Sequence, residues 1–316
     1  MSSIPIFDAK QDCPHADNGD PTFQESALFV WHDLDAGVGG FLRLGQEPVV
    51  EALNSCFGLF TKDGLRFRSN VTGVAMQPGD RGETHMGWGR NLCVDLDAQS
   101  IKADFPDCEA SLTFEDFHPR YDYLALVGIT MPEGHTGHHF EVAGRMTGRI
   151  RLGDRELQIN ALGYRDRSWG GRRWDAMRST RWWPVVFGPD LSFHVLASVL
   201  DEGFHGCYGY MLRDGEPQVL DVQDLAVTLD YDAIGPRSGH ARFVTRDGEH
   251  GELYHERSDA IVLHVRGYTA VESIGTVRLG DRLGMSNLEV CTNPCGGTKP
   301  PVMTLEANCG DGLSRR

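Results

Sequence analysis

The stretch His139-Phe-Glu-Val-Ala-Gly-Arg-Met-Thr-Gly-Arg-Ile150, followed after Gly153-Asp154 by Glu156-Leu-Gln-Ile-Asn-Ala161, decides the fold class. Side chains alternate along an extended chain, so Phe140, Val142, Met146 and Ile150 share one face and charged residues fall on the other. The Gly-Asp pair is a tight-turn signal, and the whole reads as a half-buried hairpin. Segments 191–200, 222–230, 239–246, 251–257 and 260–268 read likewise, separated by Asp-Gly and Asp-Glu-Gly turns. Short strands joined in this way indicate barrels or sandwiches. No segment carries an apolar stripe several helical turns long, and the 38 glycines suit tight turns and bent strands better than helices. The fold class is therefore all-β.

At 316 residues the chain can hold two domains of ordinary size, each able to bury a core unaided. The paired strands of the first half end at Gly170-Gly171 and a fresh series starts at Trp182. This puts the boundary close to residue 176, with an N-terminal domain over 1–176 and a C-terminal domain over 177–316. No Pro-rich linker separates them, so they are expected to pack together. Residues 1–20 and 296–316 lack pattern and are expected to lie extended on the surface. A formal net charge of -15 and a pI near 5.2 argue against nucleic-acid or anionic-membrane partners, which reward clustered Lys and Arg.

No apolar run approaches the ~20 residues needed to span a bilayer. The polar, acidic start does not read as a secretory signal. The 8 cysteines include no Cys-x-x-Cys pair and read as reduced thiols of a cytoplasmic protein, a Cys291–Cys295 disulfide being the weaker alternative.

Between the halves, Tyr164-Arg-Asp-Arg-Ser-Trp-Gly170, then Trp174 and Trp182-Trp183, concentrate charge and aromatic surface. Charges are costly to bury unpaired and indoles want burial, so both a small-molecule site and an ion-paired domain joint fit. Gly163-x-x-Asp166-x-Ser168-Trp169-Gly170-x-Arg172 resembles the signature of the hydroxyneurosporene synthase (carotenoid 1,2-hydratase)-like family. Further matches are Glu25-Ser26, Asp33, Asp35-Ala-Gly-Val-Gly-Gly40, His139-Phe-Glu141 and Gly284-x-x-Asn287-x-Glu289, which span most of the chain. The family pattern has Asp-His-Ser-Trp-Gly where this chain has Arg167, so any role of that histidine is absent or supplied elsewhere. The resemblance implies two lipocalin-like antiparallel β-barrel domains packed together. It also implies acid catalysis on an unsaturated group, by hydration, isomerisation or cyclisation.

Protonating such a group needs a carboxyl kept neutral in an apolar pocket, with aromatic faces to stabilise the developing cation. Asp166 has the surroundings for this, but Arg165 and Arg167 beside it would lower its pKa and make it an ion-pair residue instead. His194, within an apolar strand, and Glu289, in the alternating Ser286-Asn-Leu-Glu-Val290, are the next catalytic candidates, with Asp33 behind them. Trp88, Trp169, Trp174, Trp182, Trp183, Tyr208 and Tyr210 are candidate substrate contacts. Trp31-His32-Asp33 reads first as the rim of a hairpin. His135, His138, His139 and Glu141, together with His85 and His118, offer metal-ligand atoms, yet His139 and Glu141 share a strand face that His138 does not, so a metal site would need His135 from a loop. No metal or cofactor is expected.

No Gly-x-Ser-x-Gly elbow, phosphate loop or dinucleotide fingerprint is present, which removes hydrolase, kinase and nicotinamide readings. The expected function is that of a cofactor-independent lyase, isomerase or cyclase. Its substrate is an apolar small molecule, such as a terpenoid, polyketide or aromatic compound, held in a barrel interior. A non-catalytic carrier of such a molecule is the alternative, and a homodimer is left open.

Overall fold

The computed structural model describes residues 4–130, 137–200, 205–292 and 307–316. The hairpin that decides the fold class forms as its alternation requires. His138–Leu152 and Arg155–Gly171 pair antiparallel, with Met146 opposite Ala161 and Ile150 opposite Leu157. Gly153 turns the chain at φ 61°, a left-handed conformation that glycine adopts without steric cost.

These strands lie in the middle of an eleven-stranded antiparallel sheet, ten of whose strands come from the first half. On one side follow Phe23–Asp33, Val38–Glu47, Ala52–Thr61 and Leu65–Ala75; on the other follow Cys108–Asp116, Ser100–Phe105, Leu92–Asp95 and His85–Trp88. The second half is a closed antiparallel barrel of eight strands, from Met177–Gly188 to Arg282–Thr292. The segments read as separate strands at 251–257 and 260–268 are largely one strand, His250–Val265, bent by a bulge between Arg257 and Asp259.

The three largest cores among the described residues follow from the two-residue period. One face of the sheet buries Phe29, Trp31, Phe57 and Met146. The barrel interior is filled by Trp183, Phe187, Phe193, Phe243 and Leu288, as an eight-stranded barrel permits. The third core lies between the halves: Leu28, Val30, Phe41 and Tyr164 of the sheet meet Trp182, Leu196, Tyr210 and Ile261 on the barrel's outer wall. Gly58 lets the two approach, since a Cβ there would stand 2.6 Å from Ile261.

Buried polar ties cross the same interface. Arg66 pairs with Asp259 through Nε at 2.7 Å, and Arg68 Nε donates to the Val262 carbonyl at 2.6 Å.

The start of the chain departs from the extended surface tail expected, whereas Gly312–Arg315 is extended and mostly exposed. Ile6–Phe7 pairs with Arg120–Tyr121, and Asp8 caps a helical turn that carries Asp12 into full burial. At the other end Gly312–Arg315 adds to the edge of the first sheet beside Leu65–Arg68. Fragments 1–176 and 177–316 expressed apart would each expose this middle core, and both are expected to be insoluble or aggregated. Size-exclusion chromatography checks this; two monodisperse folded fragments would show the interface to be dispensable.

Candidate active site

The same alternation that builds the middle core puts polar side chains into it. On the Arg155–Gly171 strand, Tyr164, Asp166 and Ser168 face the barrel, whereas Arg165 and Arg167 point the opposite way. Arg165 grips Asp12 at 2.8 Å and Asp116 at 2.7 Å, and Arg167 donates to Glu25 at 2.7 Å. The arginines beside Asp166 in sequence are therefore neither its partners nor a joint between the halves.

Asp166 instead pairs with His139 of the neighbouring strand. Burial favours the neutral carboxyl, but the His139 charge and hydrogen bond, followed by Arg172 and Arg43, outweigh it and hold the Asp166 pKa below its ordinary value. The reverse holds for His139: burial works against its imidazolium, and Asp166 more than compensates, raising its pKa.

Glu141, two residues along on the same face, is a hub. Tyr164 Oη donates to it at 2.9 Å and Trp182 Nε1 at 2.9 Å, His139 Nε2 stands at 3.3 Å, and His194 Nδ1 pairs with its second oxygen. Tyr210 closes the network, 3.0 Å from the Tyr164 hydroxyl and 3.4 Å from His194.

Across the interface, Glu272 and Glu289 are directly paired on adjacent barrel strands, and side chains so placed touch. Burial, then the neighbouring Glu289, pushes the Glu272 pKa well above its ordinary value. Glu289 is likewise raised, first by burial and further by the Asp166 charge, against the hydrogen bonds from Glu272 and Cys291 and the charge of Arg43. A cavity of ≈ 100 Å³ opens between these groups, bordered by Asp166, His139, Arg43, Arg172, Trp174 and Glu289.

Of the residues singled out from sequence, Asp166, Glu289, Trp174 and Trp182 reach this cavity wall. His194, Tyr208 and Tyr210 stand in the middle core behind it. Trp183 lies inside the barrel, Trp88 packs on Phe105 at 5.7 Å in the first core, and Trp169 stacks on His15 at 4.0 Å in a separate cluster. The cavity lies on the outer wall of the barrel, not in its interior, because Trp183, Phe193 and Phe243 already fill that interior. Asp33 accepts from Ala36 N and Asn160 N, shaping the hairpin, and His32 reaches the Gly275 carbonyl at 3.3 Å.

Glu272, and Arg43 and Tyr123 on the cavity wall, are not among the candidates that the sequence points to. Glu272 and Arg43 share a sequence signal, a charge inside an apolar run, in Ala270-Val-Glu272-Ser-Ile274 and Phe41-Leu-Arg43-Leu44.

His139, Glu141 and Asp166 each offer a ligand atom within 4.8 Å of the others. Glu141 already accepts from Tyr164, Trp182 and His194, so a cation would have to displace them. His135 and Cys295 lie outside the described residues; His85 and His118 bond elsewhere, to Gly79 O and Ala143 N. Activity is expected to survive prolonged chelation, with elemental analysis finding no stoichiometric metal. A metal near one per chain, lost together with activity, would reassign these three residues as ligands.

A family model described as a domain of unknown function (DUF7064) matches residues 8–294, across the sheet and the barrel. The chain belongs to this family. No curated protein matches its sequence significantly. The fold of this DUF7064 member is shared by solved structures at low identity. One is CghA with Sch210972, at TM-score 0.62 and 13% identity, covering 86% of this chain and 89% of that one. Another is a Nitrosomonas europaea AttH candidate, at 0.62 and 11%, covering 92% and 97%. A third is kievitone hydratase from Nectria haematococca, at 0.59 and 10%, covering 94% and 95%. At these identities the likeness is one of fold.

Proposed function

We propose that this DUF7064 protein is a cofactor-independent acid–base enzyme, a hydratase, isomerase or cyclase, acting on an unsaturated small molecule in the cavity between sheet and barrel. The observation that carries the reading is that two carboxyls border one cavity and their surroundings push their pKa values apart, Asp166 down and Glu289 up. Such a divided pair assigns an acid and a base. The Glu272–Glu289 pair, whose pKa values burial raises, is the proton source, and Glu289 is its member on the cavity wall. Ionised Asp166, with His139, takes or orients the proton of the attacking water or of the substrate.

Trp174 and Trp182 supply aromatic faces for the charge that develops. Glu141, His194, Tyr164 and Tyr210 position His139 and the Trp182 indole. The fold shared with a protein named as a hydratase is consistent with this chemistry, as is the resemblance to carotenoid 1,2-hydratase. Charged groups converging on the cavity favour an enzyme over a carrier, whose pocket would be apolar throughout.

The test is turnover of a panel of alkenyl phenols, terpenoids and polyketides in D₂O without added cofactor, read by mass spectrometry. Deuterium at carbon in a hydrated or isomerised product supports the reading; tight binding with no conversion across the panel would replace it with the carrier. Asp166→Asn is expected to bind substrate yet turn over about 10²-fold more slowly, the scale for losing a positioned base. A well-folded Asn variant with undiminished turnover would remove Asp166 from the mechanism.

A further inference from the structure

Arg43 is a cation buried without a counterion. It projects from the Val38–Glu47 strand into the cavity wall at 4% exposure. Among the described residues no carboxylate lies within ion-pair distance of it. Asp166 is engaged by His139 and Glu47 by Arg266, so both act on Arg43 only at longer range. Burial, then the neighbouring Arg172, brings its pKa down to about 10, and it stays charged at neutral pH.

Its Nη2 donates to Gln24 Oε1 at 3.1 Å, while Nη1 has no hydrogen-bond acceptor. Gln24, 3% exposed, likewise leaves its Nε2 without an acceptor. Two buried donors joined through one hydrogen bond thus lack acceptors, and a buried donor left without one opposes folding. The place for the guanidinium is built into the strand: a Cβ on Gly45 would stand 2.5 Å from Arg43 Nη1. Arg43 and Arg172 both pack over the Trp174 indole, at 5.2 and 5.1 Å. Trp174 and Arg172 also border an outer cleft of ≈ 510 Å³ that reaches Gln24.

We propose that Arg43 and Gln24 form an anion subsite that binds a carboxylate on the substrate, with Trp174 packed against the adjoining unsaturated group. The substrate class is thereby narrowed from an unsaturated small molecule to an unsaturated acid. A carboxylate supplies acceptor oxygens for the free N–H groups and the missing charge for the guanidinium, in the planar geometry that arginine matches. The proposal rests on the cavity being the substrate site. Arg43 borders the inner cavity and Gln24 the outer cleft, so the acid head sits where the two meet at Arg172 and Trp174, and the outer cleft has room for the rest of a larger molecule.

The test uses the full chain and two probes of equal shape, trans-cinnamate and its neutral amide, titrated calorimetrically. The wild-type protein is expected to bind the acid at least about tenfold more tightly, as a charge-assisted bond requires. Arg43→Met should abolish this preference while melting at the same or a higher temperature, because a buried cation without a counterion opposes folding. Gln24→Leu, which leaves the cation in place, should weaken the preference and provides a second variant. Equal affinity for acid and amide, no binding of the acid at millimolar concentration, or a preference retained in Arg43→Met would each overturn the subsite. Because binding is read without turnover, this proposal and the acid–base reading fail separately.

Discussion

Replacing Glu289 with glutamine is expected to lower turnover by about 10²- to 10⁴-fold, the range for removing a general acid, while the fold and substrate binding persist. The amide keeps the size of the side chain but has no acidic proton to give. Its stability should equal or exceed that of the native protein at neutral pH. The sign follows from the raised pKa: the folded state binds this proton more tightly than the unfolded chain, so its contribution is fully present below the ordinary glutamate pKa and is lost as pH rises through the folded value. Glutamine removes that loss.

The same shift sets the pH–rate profile. Activity should fall on the alkaline side as Glu289 ionises, and Glu272→Gln should move this limb, because the two carboxyls face each other on adjacent strands. Turnover and melting temperature measured on one preparation decide the matter. A folded Glu289→Gln variant with native turnover would show that the proton comes from elsewhere.

Arg165→Ala is expected to be the most damaging substitution for stability among the polar residues of the first half. Arg165 is 1% exposed and closes ion pairs with two carboxylates, Asp12 at 2.8 Å and Asp116 at 2.7 Å. Alanine would leave Asp12 only the longer contacts to Arg167 at 3.5 Å and Arg120 at 3.6 Å, and Asp116 only Arg120 at 3.0 Å. Breaking the buried pairs in this way costs about 3–5 kcal/mol. At about 2–4 °C per kcal/mol, the melting temperature should fall by roughly 6–20 °C.

The acid limb should shift as well. Burial favours neutral Asp116, but hydrogen bonding and charge from Arg165 depress its pKa. Its contribution is thus present above the ordinary aspartate range and is lost as pH falls through the folded value. Without Arg165 that loss begins at higher pH. Melting curves from pH 7 down to acid check both effects, and a variant within a degree of the native protein would mean that Arg120 and Arg167 suffice to hold Asp12 and Asp116.

The site was partly legible because strand alternation assigns faces without saying what each face meets. Pattern placed His194 with Ser192 and Leu196, opposite Phe193 and Val195, and the structure keeps that division. It could not tell which set enters the barrel. Filling a closed eight-stranded interior selects the Phe193 side, so His194 is left facing the sheet. Adjacency misled at Asp166: Arg165 and Arg167 are its neighbours along the chain, yet successive residues of a strand point to opposite faces, and the partner is His139 on the next strand.

By itself the sequence determined what depends on local geometry. A two-residue hydrophobic period and glycine-bearing turns require antiparallel strands, and too few apolar runs at helical spacing exist to offer an alternative. Only the tertiary structure decided the chemistry. A carboxyl takes its pKa from what surrounds it, and the groups that raise Glu289 or lower Asp166 come from strands far apart in the chain. The same packing left Arg43 buried without a counterion, a state that no spacing of residues along the chain encodes.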